Sequence, residues 1–224
     1  MKCAMATILT LVVAVSISTS ALADDFMPPE FRGDYLTVMA EWDFLTDWGT
    51  GDIPADNLVT VGDGGDHLLG GAWTHTHDVF DNLNWVEDPS DPQDGVAMSG
   101  ANGGQLGFYL VNWIDDYQFK HLWIQITYGG EGVPFVSSVV GPNPLTNSWP
   151  DPTYGIPGDV GPFEVDADHR VEYWLLMPNP DREYVYIDIP PFTWVDQVVI
   201  DTISTMEPVG AEESSWDSLK ALFR

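Results

Sequence analysis

Apolar side chains recur at every second position along most of this chain of 224 residues, and Gly, Pro, Asn and Asp interrupt them at short intervals. A period of two places alternate residues on opposite faces of an extended strand, whereas a helix repeats near ~3.6. The pattern predicts an all-β fold, a jelly-roll-like antiparallel β-sandwich. Strands are expected near Leu36–Phe44, His67–His75, Val96–Ser99, Gln105–Val111, Phe119–Tyr128, Phe135–Val140, Arg170–Met177, Tyr184–Ile189 and Val195–Ser204. Two stretches rich in Pro, Gly, Asn and Asp, Glu87–Gly95 and Gly141–Pro162, read as long loops.

The two ends depart from this pattern. Lys2, the apolar run Ile8–Ile17 and the small-residue site Ala21-Leu22-Ala23 ahead of Asp24-Asp25 predict a secretory signal peptide over 1–23. A run of about 10 residues is too short to cross a ~30 Å hydrocarbon core, and nothing downstream is more apolar. The mature chain is therefore expected to be secreted, at the cell surface or in the periplasm, with no integral membrane span. Its sandwich domain is expected over 24–208. Residues 209–224 read as a linker and an amphipathic helical tail, because Ser214-Ser215-Trp216-Asp217 suits a helix start. Trp216, Leu219, Leu222 and Phe223 then follow at helical spacing.

Cleavage would remove Cys3, the only cysteine, so stability must come from a core rather than from disulfides. Without Lys2, six Lys and Arg face 35 Asp and Glu. A field this negative disfavours nucleic acid and anionic lipid as partners. The acidity fits surface solvation, salt adaptation or calcium, a hard cation held by carboxylate and carbonyl oxygens. Calcium candidates are Glu41 and Asp43 in the first strand with Asp196 and Asp201 in the last. Asp88, Asp91 and Asp94 are the alternative set.

Strand phase selects a candidate binding face. On Phe119–Tyr128 the apolar set is Leu122, Ile124, Ile126 and Tyr128, which leaves Trp123 on the other face. Val171, Tyr173, Leu175 and Met177 form the expected inner set of Arg170–Met177, leaving Glu172 and Trp174 outside. Val185, Ile187 and Ile189 likewise leave Tyr184, Tyr186 and Asp188 outside. Trp123, Trp174, Tyr184 and Tyr186 beside carboxylates and amides suit sugars, whose C–H faces pack on rings while their hydroxyls take directional hydrogen bonds. An extracellular polysaccharide or a cell-surface component is the expected partner, and the expected protein is non-catalytic. The alternatives are a structural or matrix protein of the cell exterior and a glycoside hydrolase.

Three stretches carry a resemblance: AEWDF at Ala40–Phe44, HLWIQITYGG at His121–Gly130 and WVDQVVIDTIS at Trp194–Ser204, after an opening PPxFRG. Together they resemble a group of secreted β-sandwich proteins of environmental bacteria, many of which end in a PEP-CTERM sorting segment. The resemblance implies export and implies no chemistry. After Met206-Glu207-Pro208 the Trp216–Arg224 helix stands where that group has its apolar anchor.

Glu164-Val165-Asp166-Ala167-Asp168 is similar to the ExDxE arrangement of jelly-roll glycoside hydrolases of the laminarinase and lichenase type. The resemblance implies Glu164 as nucleophile and Asp168 as general acid, with Asp166 between them on one strand face. His75 and His77, an HxH pair, resemble the first half of a cupin metal motif, whose second half is absent. There is no G-x-S-x-G, phosphate-binding loop or dinucleotide fingerprint.

Overall fold

The computed structural model describes residues 25–45, 47, 53–62, 72–76, 83–87, 95–113, 115–143, 148–157, 163–164, 166–180 and 182–206. The expected signal segment 1–23, the expected tail Trp216–Arg224, His77, Asp88, Asp91 and Asp94 lie outside them.

Among the described residues fourteen strands, all paired antiparallel, carry the fold. The strictest alternators sit centrally. β8 (Phe119–Gly130) lies between β12 (His169–Leu176) and β14 (Thr193–Thr205), and β14 continues to β1 (Thr37–Trp42) and the edge strand β3 (Asn57–Val61). A second run places β2 (Ile53–Pro54), β4 (Trp73–Thr76), β7 (Gly104–Val111), β13 (Arg182–Ile189) and β9 (Phe135–Asn143) side by side. The runs are joined by β10 (Ser148–Pro157), which pairs with β9 through Tyr154 and with β12 through Gly155–Pro157. The short β11 (Phe163–Glu164) pairs with β12, and a hairpin of β5 (Leu83–Glu87) and β6 (Gly95–Ser99) pairs with β14.

Both runs contribute to one apolar core, which makes the architecture sandwich-like. Trp42, Leu122, Ile124, Ile126, Val198 and Ile200 from the first meet Leu106, Phe108, Leu110, Val185 and Ile187 from the second, and each is at most 1% exposed. Edge-to-face packing of Trp42 on Phe108, with centroids 4.8 Å apart, lies inside it. The described residues contain no helix, and none long and apolar enough to cross a membrane.

The outer face of the β12–β8–β14 run is not bare. Residues 25–32 lie across it as a strap. The Met27 amide donates to Gln125 Oε1 at 2.7 Å, the Trp123 indole donates to the Met27 carbonyl at 2.8 Å, and Gln125 Nε2 donates to Asp25 Oδ1 at 2.8 Å. Arg32 closes the strap with a two-pronged grip on Asp201, Nε to Oδ1 and a terminal nitrogen to Oδ2, and it also pairs with Asp25. Asp201, Gln125, Val171 and Val199 are consequently at most 1% exposed although they point away from the core.

This covering explains a corrected strand phase. On β12 the core-facing residues are Glu172, Trp174 and Leu176, registered against Ile124, Leu122 and Lys120, while Met177 is exposed. Apolarity is a weak guide to orientation where both faces are buried, as with Val171 under the strap. A second correction concerns Gly141–Pro162, expected as a loop, because β10 runs through it. Its prolines 150 and 152 fall where the β9–β10 register shifts, between Ser148 and Thr153, so no regular ladder bond is needed from them. The strands β2, β3, β5 and β11 were also not expected.

Candidate functional site

The inward set Val185, Ile187 and Ile189 holds on β13, which sends Tyr184, Tyr186 and Asp188 to the outer face. On the β7 side they stand opposite Tyr109, Gly107 and Gln105, and on the β9 side opposite Val140, Ser138 and Phe135. The Tyr184 and Tyr186 rings are nearly parallel, 13° between planes with centroids 6.3 Å apart, and Tyr109 meets Tyr184 edge-on at 5.1 Å. Opposite Tyr186 the β7 strand carries Gly107. At the far end Gln105 Nε2 donates to Asp188 Oδ1 at 2.5 Å and to Ser137 Oγ at 3.3 Å, next to the exposed Phe135. Half-burial pushes the Tyr186 hydroxyl above its ordinary pKa, so the ring stays neutral.

The other two rings of the expected platform are elsewhere. Trp174 is 7% exposed, belongs to the core and donates its indole N–H to Glu172 Oε2 at 3.1 Å. Trp123 lies on the opposite side of the molecule from Tyr186, under the strap. The four therefore do not line one groove. Phase on β12 misplaced Trp174, and no periodicity marks a strap.

The acidic triplet is not presented on one strand face. Glu164 closes β11 opposite Arg170, but Asp166 and Asp168 sit in the following bend and are 54% and 62% exposed at the side chain. Asp166 Oδ1 accepts from the Asp168 amide at 3.2 Å and lies 2.6 Å from His169 Nδ1, which is turn chemistry. Asp166, Asp168 and His169 bring ligand atoms within 4.8 Å of one another, the one such group among the described residues.

Of the four calcium candidates, β1 and β14 do lie side by side, but Asp201 is taken by Arg32. Gln197 Nε2 bridges Glu41 Oε1 at 2.9 Å and Asp43 Oδ1 at 2.7 Å, and Asp196 occupies the register shift of β14 against β8. Burial raises the pKa of Asp201 despite Arg32. His75 lies in β4 opposite Gly107.

One polar cluster gave no sequence signal. Asn112, Lys120 and Glu183 are each 0% exposed, at the end of β7, in β8 and in β13. Lys120 Nζ donates to Asn112 Oδ1 and, at 3.3 Å, to Ser204 Oγ. Asn112 Nδ2 donates to the Pro180 carbonyl at 2.7 Å, Asn179 Oδ1 at 3.2 Å and Glu183 Oε2 at 3.3 Å. Asn179 completes the group by donating to Asp115 Oδ1 at 2.9 Å and to Ser204 Oγ at 3.2 Å.

No protein-family model and no curated protein matches the chain.

Proposed function

We propose that the chain is a secreted, non-catalytic protein of jelly-roll sandwich type that binds a neutral glycan on the outer face of β7, β13 and β9. The observation that carries this reading is the parallel Tyr184–Tyr186 pair running into the Gln105–Asp188 pair. The Tyr186 ring, braced by Tyr184, which itself packs on the Tyr109, Val111 and Trp113 cluster, offers an apolar plane to a sugar C–H face, and the amide oxygen and carboxylate beside it offer acceptors to hydroxyls. Neutrality of the ligand follows from charge. The chain as a whole carries a net charge of −28, Arg32 is committed to Asp25 and Asp201, Arg170 to Glu172, and Lys120 is buried, which leaves Arg182, on the same face of β13 as Tyr184 and Tyr186, as the one described Lys or Arg beside the rings. An anionic saccharide would be repelled.

Titration calorimetry against neutral polysaccharides tests the reading. Tyr186→Ala should stay folded and lose about 5- to 150-fold in affinity, which corresponds to ~1–3 kcal/mol for one stacking ring at the centre of a contact. A folded parent that binds nothing on a broad neutral glycan array returns the protein to a structural role at the cell exterior.

A further inference from the structure

The buried Asn112–Lys120–Glu183 cluster sets an amine and a carboxyl group on either side of one amide with water excluded, Lys120 against the Asn112 oxygen and Glu183 against its nitrogen. We propose that Lys120 and Asn112 become joined by an intramolecular isopeptide bond, with Glu183 carrying the protons of its formation.

The geometry assigns each group a part. The Asn112 amide is held by its nitrogen, which donates to Pro180, Asn179 and Glu183, while its oxygen meets Lys120 Nζ. The electrophilic carbon therefore sits between the amine and the carboxyl. Fixing reacting groups in this way replaces a bimolecular encounter with an internal step. Desolvation makes a lysine nucleophilic by favouring its uncharged form. Burial drives Lys120 down to about 8, against the pull of Glu183 and Asp115, and drives Glu183 up to about 8, against the pull of Lys120. The neutral amine and the neutral acid are the forms the reaction needs. Glu183 Oε2 faces Asn112 Nδ2 and is the oxygen from which a proton can pass to it, while Oε1 has no hydrogen-bond partner among the described residues.

The step balances without a co-reactant. The uncharged Lys120 Nζ attacks Asn112 Cγ, and the carbonyl pair moves onto Oδ1. Glu183 gives its proton to the departing Nδ2 and recovers one from the attacking nitrogen. As the carbonyl re-forms, the Cγ–Nδ2 bond breaks and ammonia leaves. One amide replaces another, and Glu183 ends as it began, a general acid–base. The product removes a buried ionisable amine from the core. It also ties the end of β7 to β8, strands of the two different runs that pack over one core.

A tryptic digest of the denatured chain reads the bond directly. Between Arg32 and Arg170 the only tryptic site is Lys120, so an unlinked chain gives peptides 33–120 and 121–170. The linked chain resists cleavage after Lys120, whose amine is acylated, and gives peptide 33–170 lighter by one ammonia. A succinimide at Asn102-Gly103 would also shed ammonia but would leave Lys120 cleavable. Glu183→Gln should fold and give the two separate peptides. Complete cleavage of the wild-type chain after Lys120 at full mass overturns the proposal, and a linked Glu183→Gln chain overturns the part given to Glu183. Should Glu183→Gln fail to fold, the wild-type digest still decides the bond.

Discussion

Replacing Arg32 with Met keeps most of the side-chain stem and removes the charge that faces Asp201, whose side chain is 2% exposed. Breaking a buried pair by deleting one partner costs ~3–5 kcal/mol, because the survivor is left charged and desolvated. Asp201 has one escape, which is to take a proton, and that sets a ceiling. At about 1.4 kcal/mol per pH unit above an ordinary Asp value of ~3.9, the ceiling is ~4 kcal/mol at pH ~7 and ~1.5 kcal/mol at pH ~5. Asp25 and Glu41 also bear on this position, and with Arg32 gone both push Asp201 toward its neutral form. Urea unfolding at the two pH values should therefore show a deficit that shrinks by more than half on acidification. Adding Asp201→Asn to Arg32→Met should recover most of the loss at pH ~7, since the amide needs no counter-charge. A deficit independent of pH, or a double variant no better than the single one, would refute the reasoning and make Arg32 a surface pair of little weight.

Trp174→Ala should cost ~3–5 kcal/mol by denaturant unfolding, as expected for emptying a large ring from a core; a loss under about 1 kcal/mol would return Trp174 to the surface. His121, whose ring contacts Tyr173 and Thr205, is driven down to about 4, chiefly by burial. A depressed histidine leaves the unfolded chain binding the extra proton between pH ~6.5 and ~4, so its contribution is complete above that window and lost on falling through it, by up to ~3 kcal/mol. The stability difference between wild type and His121→Gln, measured at pH ~7 and pH ~4.5, should shrink accordingly. Millimolar calcium at constant ionic strength should leave the wild-type Tm unchanged, because Arg32 and Gln197 already serve Asp201, Glu41 and Asp43; a rise would mark a cation site.

How much the sequence revealed depended on whether a strand has one buried face or two. On β13 the tyrosines and Asp188 alternate with Val185, Ile187 and Ile189, one side is core, and the outward set is read correctly. On β12 the strap buries Val171 on the outside while Glu172 and Trp174 face inward, so polarity no longer reports direction. Edge strand β3 escaped notice because Leu58 and Val59 are both substantially exposed and follow no inward set. The Asn112–Lys120–Glu183 cluster was invisible for a different reason. Its members are 8 and 71 residues from Asn112, and only the strand register brings them together.

The strap also sets an order of events. Its anchor on Asp201 spans 169 residues of chain, and the contacts of Asp25 and Met27 with Gln125 span 100 and 98. The contacts with Gln125 need only β8, but the Asp201 anchor cannot form until β14 has been synthesised and has paired with β8. The segment that leaves the ribosome early must therefore wait for the last described strand before Arg32 can close it down. Until then the outer side of β8 lacks the guanidinium clamp that closes its cover.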